Sequence, residues 1–239
     1  MSDTCLTSRD LRWHRVGKLV ETLFLDIHTH FELLHDQGTN SIIDSNDNWD
    51  PSLAPVFTQA GAFAWTEGSK DAALVATLDP GAYTAVVKGA NGGTGVALVE
   101  VYALTDGSGS RLVNISTRSP VETGDSVQIG GFVVGGSTSK AVVIRASGPA
   151  LHELVGMKGY LPDPVIELHD QATNTIIATS DNWESGLEDQ FAAVGAFPWS
   201  AGSKDAAMVL SLKPGPYTVV VRGWNGLTGV GLVEIYDLK

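Results

Sequence analysis

Hydrophobic and polar positions alternate along much of this chain. Over Tyr83–Lys88 and Tyr217–Arg222, tyrosine, alanine or valine, and valine fall on one side, while threonine, valine and lysine or arginine fall on the other. That period of two marks a half-buried strand. An apolar run precedes each segment, Ala73–Leu78 and Ala207–Leu212, and is joined to it by Asp79-Pro80-Gly81 or Lys213-Pro214-Gly215. Proline presets φ and glycine accepts a positive φ, so each junction predicts a type II turn closing a hairpin. The same patterning predicts strands at Ser126–Val134, Ala141–Ala146, Val165–His169, Thr175–Ala178 and Gly229–Tyr236. Many short strands between glycine, proline and asparagine turns predict an all-β chain of antiparallel sandwich or jelly-roll type. One stretch departs from this. In His14–Leu25 the apolar residues Val16, Leu19, Val20, Leu23 and Phe24 follow a 3.6 period and predict a helix.

The elements recur. His35–Leu104 realigns on His169–Leu238 without a gap at a constant offset of 134, with 41 identities in 70 positions. The offset is too long for one unit of a solenoid and fits a whole domain. The pattern therefore predicts two tandem β-sandwich modules: residues 1–104, a short linker at 105–110 (Thr-Asp-Gly-Ser-Gly-Ser), and residues 111–239. At the same offset, residues 1–30 show almost no similarity to 135–164, and nothing in the first module corresponds to Arg111–Val134. The first module is thus expected to be truncated or rewritten at its front end. Unpaired sheet edges recruit partners, so three outcomes are expected: a homodimer through those edges, a strand lent by the other module, or residues 1–30 refolded over the gap.

Composition narrows the function classes. Of 239 residues 15 are lysine or arginine and 27 aspartate or glutamate, a net charge of −12, which argues against a nucleic-acid partner. No apolar run reaches the ~18 residues of a membrane span, so no membrane insertion by a helix is expected. The lone Cys5 excludes an internal disulfide and a multi-cysteine zinc site. No secretory leader is evident in Met1–His30, which carries charges throughout.

Three recurring groups, Leu168-His-Asp170, Ser180-Asp-Asn182 and Leu212-Lys-Pro-Gly-Pro-Tyr217, have counterparts at Leu34-His-Asp36, Asn46-Asp-Asn48 and Leu78-Asp-Pro-Gly-Ala-Tyr83. With them the chain resembles the repeat modules of large secreted or cell-surface bacterial proteins. More distantly it is similar to bacterial pre-peptidase C-terminal β-sandwich domains. The segment Arg111–Gly136 is similar to the front of such modules; residues 1–30 are not. The resemblance implies a non-catalytic accessory module, extracellular and part of a larger protein, attaching to carbohydrate or another surface polymer, with calcium as a ligand in some relatives.

The candidate ligand-binding residues are tryptophans, whose indole faces stack on sugar rings when exposed and build core when buried. The repeat pairs Trp49 with Trp183 and Trp65 with Trp199, whereas Trp224 stands where the first copy has Ala90. Since the first copy does without it, Trp224 is the better candidate. Asp44, Asp47 and Asp181 lie in acidic turns that suit either backbone capping or calcium, which takes 6–8 oxygen ligands. His28-Thr-His30 has the i, i+2 spacing of metal ligands on a strand. His35 and His169, paired by the repeat, are read as structural. Glu100 and Glu234 interrupt an apolar strand at matching positions, and the reading is an edge or solvent-facing place. No nucleophile elbow, zinc-protease motif or phosphate loop is present. An alternative class is a glycoside or ester hydrolase with its site between the modules; another is a purely structural surface repeat. No catalytic residue is nominated.

Overall fold

The computed structural model describes residues 9–16, 19–26, 29–62, 64–93, 95, 98–104 and 111–238, and side chains from Leu34 onward, Arg111 excepted. The chain divides into two units, Met1–Val113 and Asn114–Lys239. No helix among the described residues is long and apolar enough to cross a membrane.

Unit 1 runs β1 (Arg9–Val16), β2 (Leu19–Asp26), β3 (Thr29–Asp36), β4 (Ser41–Asn46), α1 (Ala54–Ala60), β5 (Ala72–Leu78), β6 (Ala82–Gly89) and β7 (Leu98–Leu104). Strand β8 (Arg111–Val121) carries the chain into unit 2. There follow β9 (Gln128–Val134), β10 (Lys140–Ser147), α2 (Pro149–Val155), β11 (Pro164–Asp170), β12 (Thr175–Ser180), α3 (Glu188–Ala193), β13 (Ala206–Leu212), β14 (Gly215–Gly223) and β15 (Gly229–Leu238). Taken unit by unit, unit 2 has two four-stranded sheets, β13-β10-β15-β8 and β12-β11-β14-β9. Unit 1 has a four-stranded sheet, β1-β6-β3-β4, and a three-stranded one, β5-β2-β7. All the registered strand pairs within each unit are antiparallel.

Alternation builds the core. In unit 2, Ile144, Met208, Val233 and Ile235 of one sheet face Ile166, Leu168, Val219 and Val221 of the other, at roughly 2 kcal/mol per buried side chain. A second apolar layer covers the back of the first sheet, where Val143, Ala207 and Tyr236 meet Trp183, Phe191 and Trp199. Unit 1 repeats that layer with Ala73 and Tyr102 against Trp49, Phe57 and Trp65.

Three expectations are corrected. The described residues among 14–25 hold no helix: Val16 ends β1, and Leu19–Leu25 belong to β2, which runs between β5 and β7. The pairing available to a strand on both sides overrides a short 3.6 periodicity. The proline–glycine junctions do not close hairpins. Strands β5 and β6 lie in different sheets, as do β13 and β14, so each junction carries the chain from one sheet to the other. Gly81 is not among the positive-φ glycines, and Gly215 sits at φ 155°, away from type II geometry. The tyrosine after each junction pins the corner: the Tyr83 hydroxyl donates to the Asp79 carbonyl at 2.5 Å and that of Tyr217 to the Lys213 carbonyl at 2.9 Å.

The front of unit 1 is also less reduced than its sequence indicates. Strand β1 pairs with β6 (Trp13 opposite Tyr83) as β9 pairs with β14 (Phe132 opposite Tyr217). Strand β2 lies between β5 and β7 as β10 lies between β13 and β15. The registers relate β9 to β1 by 119 positions and β10 to β2 by 121, whereas the later strands follow 134. The difference is the long β10–β11 connection with α2, which unit 1 replaces by the short step from Asp26 to Thr29. Among the described residues of unit 1, counterparts of β8 and α2 are missing.

Candidate functional site

The paired tryptophans are spent on the core. Trp49, Trp183 and Trp199 are buried and Trp65 is half-buried. Trp183 packs on Phe191 (5.6 Å between centroids) and edge-on to Trp199 (5.7 Å), and Trp49 does the same with Phe57 (5.3 Å) and Trp65 (5.7 Å). The Trp183 and Trp49 ring N–H groups donate to Ser203 and Ser69, each at 3.1 Å. With their faces taken by other rings, these four offer no stacking platform, which corrects the expectation for Trp49, Trp65, Trp183 and Trp199.

Trp224 differs. It is 47% exposed and opens the 3-10 turn Trp224–Gly226 between β14 and β15. Asn225 there takes the left-handed conformation (φ 50°), which asparagine tolerates better than most residues. Unit 1 builds the same turn from Ala90–Gly92 with Asn91 at φ 52°, so the backbone needs no indole. The turn is fastened at both ends. The Trp224 amide donates to the Asp163 carbonyl (2.9 Å) and the Leu227 amide to the Trp224 carbonyl (3.0 Å). A Cβ on Gly223 would run into the Leu227 carbonyl. Leu227, beside the turn, is 39% exposed.

A polar group lies along the same two strands, with Arg222 two residues before Trp224. On the outward face of β11 and β14, the Glu167 carboxylate lies 3.6 Å from Arg222 Nε and 3.4 Å from His169 Nε2. Arg222 also donates to the Gly124 carbonyl at 3.3 Å. All three side chains are partly exposed, so hydration limits such contacts to a fraction of a kcal/mol. The group is an organised polar surface more than a source of stability. The repeat places His35 and Lys88 at the corresponding positions of unit 1, but Leu33 at that of Glu167 and Ala90 at that of Trp224. The indole is therefore peculiar to unit 2, while the carboxylate of unit 1 stands one position earlier, at Glu32, where the register of β3 shifts. Sequence reasoning found Trp224 from this asymmetry and missed Glu167.

The remaining candidates are placed as follows. Asp44 is on exposed β4 and accepts from the Ser45 amide at 2.8 Å. Asp47 and Asp181 follow β4 and β12, Asp47 exposed and Asp181 half-buried. No three histidine, cysteine, aspartate or glutamate side chains gather to hold a metal among the described residues. His28 and Cys5 lie outside the described residues, as do the linker 105–110 and the side chain of His30.

Glu234 is neither at an edge nor in solvent. It is 4% exposed on β15, between β10 and β8. Its Oε2 lies 3.5 Å from Nε of Arg145, the cross-strand neighbour, and its Oε1 accepts from the Tyr236 hydroxyl at 2.6 Å. Arg145 is fully buried. Its guanidinium carbon sits 4.2–4.4 Å from the ring centres of Phe191, Phe197 and Trp199, and it donates to the Phe197 carbonyl at 2.9 Å. Burial pushes the Glu234 carboxyl up against the opposing pull of Arg145. Asp205, also fully buried, is raised by burial while it accepts from Ser203 and from the Gly148 and Ala150 amides at the start of α2. These carboxyls hold the unit together.

No family model matches this chain, and no curated protein does.

Proposed function

We propose that the chain is a non-catalytic binding protein whose ligand is a carbohydrate or a similar ring-faced surface polymer, held on unit 2 at Trp224. The observation that carries this reading is the exposed indole on a fastened turn whose unit 1 copy is made with alanine. Exposing a tryptophan costs hydrophobic stabilisation, and a position the fold can build without it points to a role outside the fold. Stacking on a sugar ring would use the face of the indole, and Glu167 and Arg222 supply an acceptor and donors for hydroxyl groups. The reading assigns no role to calcium and places the protein outside the cell, in keeping with its resemblance to surface modules.

The test is retention on a panel of insoluble polysaccharides. The intact chain is expected to be retained by at least one, and Trp224→Ala to lose that retention about tenfold or more with an unchanged melting temperature, in line with the ~1–1.5 kcal/mol of a stacked ring. Equal retention of the variant removes Trp224 from the site. Turnover of chromogenic glycosides or esters by the purified chain would replace this reading with the hydrolase one.

A further inference from the structure

The two units treat one repeated strand differently. Strand β15 lies between β10 and β8, and its register with β8 runs from Gly229 opposite Val121 to Tyr236 opposite Asn114. Strand β7 pairs with β2 along one side, and among the described residues no strand takes its other side. The consequence is visible in burial. Val233, Ile235 and Tyr236 are 1, 6 and 8% exposed, whereas their counterparts Val99, Val101 and Tyr102 are only half-buried, and Leu98 at the start of β7 is 48% exposed. Glu100 keeps one carboxylate oxygen buried without a hydrogen-bond partner. An apolar edge strand without proline, carrying a single charge, is the kind of edge that proteins cover.

We propose that the open edge of β7 is a strand-acceptor site, occupied by an antiparallel strand of β8 chemistry from outside the chain. Strand β8 defines that chemistry because it completes the same sheet around the same sequence. It turns Ile115, Thr117, Ser119 and Val121 toward the core between the sheets, opposite Ile235, Val233, Gly231 and Gly229. On the other face it sets Ser116 opposite Glu234 and Asn114 opposite Tyr236, with the Asn114 amide donating to the Ile235 carbonyl at 3.2 Å. The occupant of β7 is thus an extended segment with small or β-branched residues on one face. On the other it carries a hydroxyl or amide residue to meet Glu100 and Tyr102. Main-chain hydrogen bonds give such strand addition its affinity, and alternate side chains give it selectivity.

The experiment uses the whole chain and a labelled synthetic peptide of the β8 sequence, Arg111–Val121. Saturable binding is expected, with amide exchange in Leu98–Leu104 slowed about tenfold or more. The same peptide N-methylated at alternate residues, or with Ser116→Pro, is expected not to bind. Absence of saturable binding overturns the proposal. So does slowed exchange appearing in β15 instead, which would mean the peptide only displaces β8. Slow exchange of β7 in the peptide-free monomer would show the edge already covered within the chain. Slow exchange lost on dilution would show a second copy covering it. Either result overturns the proposal, and none of these outcomes bears on Trp224.

Discussion

At the residue scale the sharpest contrast is between Glu234 and Glu100, which share the setting Leu-Val-Glu-Val/Ile-Tyr. Opposite Glu234 the neighbouring strand places Arg145, and opposite Glu100 it places Phe24. A buried carboxylate with a paired arginine is tolerable, and removing one partner strands the other, at a cost of ~3 kcal/mol or more. Glu234→Ala is therefore expected to lower the stability of unit 2 by about that amount in denaturant titrations, leaving Arg145 unpaired among three rings. Glu100 has a tyrosine instead. The Tyr102 hydroxyl donates at 3.0 Å and is itself pushed up to about 12 by burial and by the carboxylate. Burial raises the Glu100 carboxyl above its ordinary 4.5. A raised carboxyl favours folding while protonated in both states and opposes it increasingly as pH climbs through the folded value. Glu100→Gln is thus expected to raise the melting temperature at neutral pH and to make no difference below the unfolded value near 4.5; a destabilised variant at pH 7 would contradict this. Neither environment was legible in the sequence. Period-two patterning assumes one wet face, but β15 is covered on both faces by apolar layers, and Arg145 lies 89 positions before its partner.

At the scale of elements, the alternating segments of the repeat were legible almost residue by residue, because alternation is local, whereas the proline–glycine junctions were misread because which sheet the next strand joins is not local. Strands β1 and β2 were hidden for a structural reason. Loss of the connection that holds α2 shifts their register from 134 to 119 and 121, and their residues have diverged. Their identity lies in what they pair with, information carried by β6, β5 and β7. The turn bearing Trp224 is governed locally, and glycine sets its shape. Gly223 and Gly89 have the carbonyls of Leu227 and Gly93 where a Cβ would sit. Alanine at either position is expected to cost about 2 kcal/mol, as overpacking and a forced backbone shift do. The two variants separate in binding: Gly223→Ala displaces the Trp224 turn and weakens polysaccharide retention, whereas Gly89→Ala leaves it intact. Equal losses in both would mean that the ligand is held on unit 1 as well.

At the scale of the whole chain, duplication made two units of one fold and then released them from equal duty. Unit 2 kept a complete pair of four-stranded sheets, a buried ion pair in an aromatic cage, and the exposed tryptophan. Unit 1 kept the aromatic layer and the corner tyrosine but has leucine, alanine and phenylalanine where unit 2 has Glu167, Trp224 and Arg145. Every residue assigned to ligand lies between Glu167 and Leu227, and the strand that completes their sandwich begins at Arg111. A protein of residues 111–239 alone is therefore expected to fold and to match the intact chain in polysaccharide affinity. Fluorescence titration of Trp224 against soluble oligosaccharide, with Trp224→Phe as the blank, measures both. An affinity reduced more than about threefold, or ~0.6 kcal/mol, would place part of the binding surface on unit 1. The complementary piece, unit 1 alone, would still carry the open β7 edge and is expected to aggregate unless the β8 peptide is present.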